Sequence, residues 1–173
     1  VEVRNSFAPE NPYTVITDQE HLTSECALVV SSKSGLSMID IRGHKFIQPN
    51  IFAILAKQHV EVYLTNQSNS IMVVLQEKDK AIFLSYVEEE EDQDVQVTDD
   101  VSLISVFHDN SISKGELLVR TFSALEKRNL TQEILSYSIS EKNIFLLTKN
   151  KFSEKFVSIL HNALYEQRPR VKQ

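Results

Sequence analysis

The sequence predicts an α+β protein built from two related units, and two observations lead to this prediction. A hydrophobic pattern at residues 52–60 recurs in type at residues 122–130, an offset of 70 residues from position 52 to position 122. Both copies are typical of a helix end that continues into a strand. A polar turn and a second apolar run follow each copy, at residues 71–75 and 144–147. This order of helix, strand, turn and strand, present twice, indicates an internal repeat.

Composition and charge exclude several classes of function. The chain has 173 residues, enough to bury roughly two thirds of its unfolded surface. It carries 18 Lys and Arg residues against 24 Asp and Glu residues, without a basic stripe. This argues against a nucleic-acid partner, because such proteins cluster cations against phosphates. Cys26 is the only cysteine, so the chain has no internal disulfide and we expect a reducing compartment.

No stretch approaches the roughly 20 apolar residues of a membrane-spanning helix, and no signal peptide opens the chain. We therefore expect a cytoplasmic protein without a membrane partner. The chain begins at Val1 and not at a methionine. We expect it to be a segment of a longer protein.

Short strands are predicted at the beginning of the chain. Two of them, at residues 1–3 and 14–16, enclose turn chemistry at Asn11-Pro12. Two more are predicted at residues 27–31 and 36–41, separated by a polar linker at residues 32–35.

A helix and an alternating strand come next. Pro49 stands where a first-turn proline belongs, since its missing N–H costs nothing there, and residues 51–55 continue with an apolar face at helical spacing. Residues 60–65 alternate apolar and polar side chains, which predicts a strand that covers a core with one face. A short amphipathic helix is predicted at residues 80–88.

The acidic run at residues 88–92 is interpreted as a solvated loop. A contiguous block of carboxylates lacks the spaced ligands of a calcium loop, so no metal site is expected. An edge strand is predicted around residues 95–97, and a more buried strand at residues 101–108.

The last third of the chain predicts two helices. The first begins at a capping box in which Ser113 and Glu116 each satisfy a free N–H group. The second covers residues 153–166, and a basic tail at residues 167–173 follows. The inward positions of the two helices are Leu118, Phe122 and Leu125, then Phe156, Leu160, Ala163 and Leu164.

No catalytic constellation is present in the sequence. The three glycines, Gly35, Gly43 and Gly115, stand too far apart for a phosphate loop. Neither a nucleophile elbow nor a His-Glu-x-x-His pair occurs. Two polar segments remain as a candidate ligand site: residues 42–49, which lead into a helix N-terminus that could bind an α-carboxylate, and residues 61–69. The alternative is that these two segments are only a helix entry and a hairpin turn and bind no ligand.

Several stretches resemble a known family in order and spacing. The opening VRNSFAPENPYTVI is similar to a joining segment that commonly reads V-x-N-x-F-x-P-x-x-x-G-T-x-I, with Tyr13 at the usual glycine. LSMIDIRG, FAILAKQHVEVYLTNQS, VSLISVFHD, FSALEKRNLTQEILSYSISEKNIFLLTKN and FVSILHNALYE then follow in the family order. The chain thus resembles the C-terminal regulatory region of aspartate kinase, a tandem pair of ACT domains.

The resemblance implies two ferredoxin-like βαββαβ ACT units, the first inserted within the second. Residues 1–23 would join a kinase domain outside this chain, and residues 167–173 would form a tail. The first unit would comprise residues 35–98, and the second residues 24–34 and 99–166. The catalytic residues, ATP and Mg would belong to the kinase domain, which converts ATP and L-aspartate to 4-phospho-L-aspartate, so no cofactor is expected in this segment.

The resemblance also implies a homodimer through ACT units, with a feedback inhibitor held between them. This inhibitor would be a free amino acid, a product of the route to lysine, threonine and methionine. Glu61 is added to the positions carried over, because it is the nearest carboxylate. The expected effector-binding residues are His44, Lys45, Phe46, Ile47, Gln48, Glu61, Val62, Tyr63, Gln67, Ser68 and Asn69.

Two departures from the family pattern affect the expected effector. Lysine-inhibited relatives usually carry an aspartate at the position of Tyr63 and a Ser-Glu pair at Ser68-Asn69, whereas Gln67-Ser68 resembles threonine-inhibited relatives. Lysine is favoured over threonine because the chain ends after the second unit, without a linker to a homoserine dehydrogenase. A free-standing ACT-pair sensor and a ligand-free dimerisation module are the alternatives.

Overall fold

The computed structural model describes residues 2–3, 14–15, 28–42, 55–67, 70–87, 94–108, 112–140 and 142–165. The described strands are β1 Glu2–Val3, β2 Thr14–Val15, β3 Leu28–Arg42, β4 Val62–Gln67, β5 Ser70–Gln76, β6 Asp94–His108, β7 Ile134–Ile139 and β8 Asn143–Lys149. The described helices are α1 (residues 55–57), α2 Lys80–Val87, α3 Lys114–Glu126 and α4 Ser153–Tyr165. None of these helices is long and apolar enough to cross a membrane.

Six strands form one antiparallel sheet in the order β4-β5-β3-β6-β8-β7, and β1 pairs separately with β2. Residues 36–42 of β3 pair with β5, whereas residues 28–33 have described pairs only with β6. In β6, residues 101–107 pair with β8, and residues 94–98 have described pairs only with β3. Two four-stranded halves, β4-β5-β3-β6 and β3-β6-β8-β7, therefore share the two central strands.

The two central strands correct two predictions. The expected linker at residues 32–35 lies inside β3, where Ser32 pairs with Ile104 and Lys33 with Leu103. A register shift follows Lys33, and Gly35 takes a positive φ of 71° there. The predicted strands at residues 95–97 and 101–108 are likewise one continuous strand, β6. Residues 32–35 are polar and include a register shift, so apolar and polar side chains do not alternate there. Only the pairing with β6 shows that these residues belong to a strand.

Each half packs its helices against an apolar core. The first-half core contains Ile39, Ile41, Leu55, Val60, Val73, Leu75, Phe83 and Val87. The second-half core contains Ile104, Val106, Leu117, Ala124, Leu125, Leu130, Ile144, Leu146, Phe156, Leu160 and Leu164. Phe83 on α2 and Phe156 on α4 are both fully buried.

A third group of buried side chains, the back-face cluster, lies on the other face of the sheet. In β5, Val73 and Leu75 belong to the first-half core, whereas Met72 and Val74 belong to the back-face cluster, because neighbouring residues of a strand point to opposite faces. The cluster also draws residues from both halves. Its members are Leu36, Met72, Val74, Val101, Leu103 and Leu147.

Asp99 connects the two halves near the centre of the sheet. Its carboxylate accepts hydrogen bonds from Ser37 Oγ at 2.6 Å and from Lys80 Nζ at 2.7 Å. Its backbone carbonyl accepts a hydrogen bond from Lys149 Nζ at 2.9 Å. Lys80 begins α2 in the first half and Lys149 ends β8 in the second half. One residue therefore bonds to elements of both halves.

The α3 helix confirms part of its prediction and corrects the rest. Ser113 is the N-cap and accepts a hydrogen bond from the Glu116 backbone N–H at 3.2 Å. The Glu116 carboxylate pairs with Arg120 instead of returning to the cap, so the capping box is half formed. Leu117 is fully buried, whereas the predicted inward residue Leu118 is only partly buried. The α4 prediction is confirmed over Ser153–Tyr165, and residue 166 lies outside the described residues.

Candidate functional site

Most of the predicted effector-binding positions fall outside the described residues. His44, Lys45, Phe46, Ile47, Gln48, Ser68 and Asn69 belong to this group, as does the acidic run at residues 88–92. Gln67 is the last residue of β4. The described part of the candidate site is therefore the beginning of the β4 region, from Glu61 to Tyr63.

Tyr63 lies at an irregular point of β4, at the outer edge of the sheet. Val62 pairs with Leu75 and Leu64 pairs with Val74, so the register shifts at Tyr63. The Val62 side chain packs against the first-half core, whereas Tyr63 packs against the back-face cluster. The prediction that this strand covers a core with one face only is therefore wrong, because the outward tyrosine covers apolar side chains of the opposite face.

The Tyr63 hydroxyl is the centre of a small polar network. It donates a hydrogen bond to Glu61 Oε2 at 2.6 Å and accepts one from Gln76 Nε2 at 2.8 Å. The Lys33 ammonium lies 4.3 Å from the centroid of the Tyr63 ring. Three polar side chains thus converge on the phenol of Tyr63. We call this group the Tyr63 cluster: Lys33, Glu61, Tyr63 and Gln76.

The charges of the Tyr63 cluster stabilise each other. The hydrogen bond from the Tyr63 hydroxyl is the main cause that lowers the pKa of Glu61, and the ammonium groups of Lys33 and Lys78 lower it further. The contact with Tyr63 is also the main cause that raises the pKa of Lys33. Both groups are exposed, so water screens these interactions. Near neutral pH the cluster therefore holds a carboxylate and an ammonium.

This arrangement can bind a polar ligand through a carboxylate, an amide and a phenol, whereas the Lys33 ammonium lies over the aromatic ring. Among the described residues, no group of three or more His, Cys, Asp or Glu side chains could hold a metal ion. Sequence reasoning found Glu61 and Tyr63 but missed Lys33 and Gln76. Lys33 was assigned to a linker, and only the pairing of β3 with β6 shows that it belongs to the sheet.

The second half of the chain contains a groove at the corresponding place. Both β4 and β7 have six residues and lie at the two outer edges of the sheet, so Leu135 in β7 corresponds to Tyr63 in β4. The groove has a volume of about 570 Å³, and none of its lining residues is charged. The Phe122 and Tyr137 rings meet edge to face there, with centroids 5.4 Å apart. The lining residues are Phe122, Thr131, Ile134, Leu135, Ser136 and Tyr137.

Comparison with known proteins identifies the kind of chain that shares this fold. No protein-family model matches the chain. It is similar to the chloroplastic aspartokinase 3 of Arabidopsis thaliana, with 22% identity over 179 residues, 96% of this chain and 32% of that protein. The chain thus spans 32% of the length of the curated relatives that it matches.

Two solved structures share the fold. The aspartate kinase of Clostridium acetobutylicum superposes with a TM-score of 0.81 at 18% identity, over 95% of this chain and 41% of that chain. The ligand-free regulatory subunit of aspartate kinase from Thermus thermophilus superposes with a TM-score of 0.64 at 19% identity, over 78% of this chain and 95% of that chain. The resemblance noted in the sequence is confirmed: the chain is similar to aspartokinases in sequence and shares the fold of a separate aspartate kinase regulatory subunit.

Proposed function

We propose that this chain is the allosteric regulatory region of an aspartate kinase and mediates feedback inhibition by a free amino acid. The observation that carries the proposal is the match to a separate regulatory subunit along 95% of that subunit. The parent enzyme would transfer the γ-phosphate of ATP to the β-carboxylate of L-aspartate in a domain outside this chain. The regulatory region itself would carry no active site.

The proposal includes two ACT units, the first inserted within the second. The register of the central strands supports this arrangement. Residues 28–33 of β3 pair with the part of β6 that also pairs with β8, although they precede the whole first half in the sequence. Separate first-half and second-half cores support it as well. The first unit would comprise residues 35–98, and the second residues 24–34 and 99–166.

We place the effector at the Tyr63 cluster, together with the predicted helix entry at residues 44–48 and the turn at residues 67–69. A small ligand such as a free amino acid binds where a few polar groups converge beside apolar surface. The Tyr63 cluster supplies such groups next to the back-face cluster.

A homodimer through the ACT units is part of the proposal. Among the described strands, β4 and β7 are the outermost and each has a pairing partner on one side, and such edges favour pairing with another chain. Leu135 and Tyr137, two positions apart on β7, are 39% and 53% exposed and give this edge apolar surface. Light scattering should give twice the chain mass of 19.8 kDa. A monomer at micromolar concentration would exclude this assembly.

Thermal-shift titration of the chain with single free amino acids tests the regulatory function. An amino acid at a hundredfold excess over its Kd stabilises the folded state by about 2.7 kcal/mol, a shift of several degrees at this size. Tyr63→Ala should weaken the shift strongly. Tyr86→Ala, on α2 and outside both the Tyr63 cluster and the proposed dimer contact, is the matched control and should preserve it. No shift with any amino acid at millimolar concentration would favour a ligand-free dimerisation module.

A further inference from the structure

The Tyr63 cluster already contains a cation, the Lys33 ammonium, in contact with the Tyr63 ring. The Lys33 ammonium lies 4.3 Å from the centre of the Tyr63 ring, within the range of a cation–π contact. The Glu61 carboxylate is held beside the same ring by the 2.6 Å hydrogen bond from the Tyr63 hydroxyl. An aromatic face next to a carboxylate is the environment that an alkylammonium group prefers. Here a side chain of the protein itself occupies it.

The strand pairing explains how Lys33 reaches across the sheet. Strand β5 separates β3 from β4, but β5 ends at Gln76, which pairs with Leu36. Lys33 precedes Leu36 by three positions and therefore lies beyond the end of β5. Its flexible side chain extends across this end to Tyr63. The Lys33 backbone is fixed by its pair with Leu103 in β6.

The charges of the cluster are balanced without a ligand. Glu61 is the only acidic member, and its carboxylate is influenced by the ammonium groups of both Lys33 and Lys78. A second ammonium group brought to the same place would compete with Lys33 for the single carboxylate of the cluster, and like charges at close range repel each other. An amino acid with an uncharged side chain is a net-neutral zwitterion, because its α-carboxylate balances its α-ammonium, so Lys33 repels it less than it repels lysine.

We infer that Lys33 occupies the cation-accepting position of the effector site, and that the effector is consequently an amino acid with an uncharged side chain and not lysine. This inference rests on the proposed function. Free lysine would have to displace a tethered ammonium whose effective concentration is on the order of millimolar, as for other short flexible tethers. A hydroxyl or apolar side chain would bind beside Lys33 without displacing it.

Isothermal titration of the chain with threonine, methionine, isoleucine and lysine tests the inference. We expect at least one uncharged amino acid to bind the wild-type chain more tightly than lysine does. Lys33→Met should strengthen lysine binding by about three- to tenfold, because the competitor is removed. Lys151→Met is the matched control, since Lys151 makes a similar contact with the Phe152 ring at 4.8 Å, and it should change neither affinity.

Two outcomes would overturn the inference: wild-type binding of lysine that equals or exceeds that of every uncharged amino acid, or unchanged lysine affinity in Lys33→Met. If no amino acid binds either protein, the proposed function fails. NMR then tests the contact between the Lys33 ammonium and the Tyr63 ring. If Lys33 lies against the Tyr63 ring, the chemical shifts of its side-chain protons should be upfield in the wild type and should return to ordinary values in Tyr63→Leu. The absence of an upfield shift in the wild type contradicts this contact.

Discussion

His59 and Asn129, seventy positions apart, adopt the same left-handed backbone conformation, with φ of 57° and 55°. Each follows the last turn of a helix, and the same hydrogen bonds close both turns. The Val60 N–H donates a hydrogen bond to the Leu55 carbonyl at 2.9 Å. In the same way, the Leu130 N–H donates one to the Leu125 carbonyl at 3.0 Å. The repeat seen in the sequence is therefore a repeat of backbone geometry, since α1 and α3 end in the same way.

This shared geometry predicts opposite effects of glycine and alanine at His59. Glycine adopts a positive φ without steric cost, so His59→Gly should raise the free energy of unfolding by about 0.5–1 kcal/mol. His59→Ala should lower it by a similar amount, because alanine tolerates the left-handed region less well than histidine. Urea unfolding measures both. Equal stability of the two variants would contradict a left-handed cap.

Gly35 in β3 predicts a pure backbone effect. Its φ is 71°, and a Cβ added there would meet no atom within 4 Å. Gly35→Ala should therefore destabilise the fold by about 1–2 kcal/mol through conformation alone. Gly115, inside α3 with equally open surroundings, is the matched control. Gly115→Ala should stabilise by up to about 1 kcal/mol through helix propensity. The same sign for both changes would exclude the bulge geometry.

Asp99 predicts a loss of stability in acid. The hydrogen bond from Lys80 is the main cause that lowers its pKa, followed by the hydrogen bond from Ser37. A lowered pKa adds stability that is complete above the unfolded value of about 3.9 and disappears as pH falls through the lower folded value. Because the Asp99 side chain is 44% exposed, this contribution should stay below about 1 kcal/mol.

The comparison of wild type with Asp99→Asn isolates this contribution. The stability difference should be largest above about pH 4 and should shrink toward pH 2. Lys80→Met should reproduce most of it, since Lys80 supplies the main cause. Guanidinium unfolding across this pH range provides the data. A difference that persists unchanged at pH 2 would exclude a titrating Asp99.

The shared central strands predict that the two halves unfold together. Phe83 belongs to the first-half core and Phe156 to the second-half core, and both are fully buried. Truncation of either to alanine should cost about 3–5 kcal/mol. Because β3 and β6 run through both halves, each variant should still unfold in one transition by circular dichroism. Two separate transitions in either variant would show that the halves are independent.

Local patterns predicted most elements, but they missed what depends on pairing. The apolar runs that identify β5 and β8 and the helical spacing that identifies α4 are properties of neighbouring residues, so the sequence shows them directly. The stretch at residues 32–35 is polar and contains Gly35, which is typical of a linker, yet its pairing with β6 makes it part of a strand.

The same limit applies to the candidate site. Tyr63 lies in β4 and Glu61 immediately precedes that strand, so family resemblance and the local sequence pattern both led to them. The contact between Lys33 and Tyr63 joins positions from different strands across the end of β5, and no local signal marks such a contact. The charge balance of the site therefore depends on strand pairing between distant parts of the chain, which the sequence alone does not show.

The proposed regulatory function depends on binding of a free amino acid at the Tyr63 cluster. Titration of the isotopically labelled chain with single amino acids, followed by the backbone amide NMR signals, tests this binding most directly. We expect saturable shifts for one amino acid, concentrated at residues 61–67 and near Lys33 and Gln76, with little change along α4. Saturable shifts confined to α3 and α4, or no shifts with any amino acid at millimolar concentration, would contradict it.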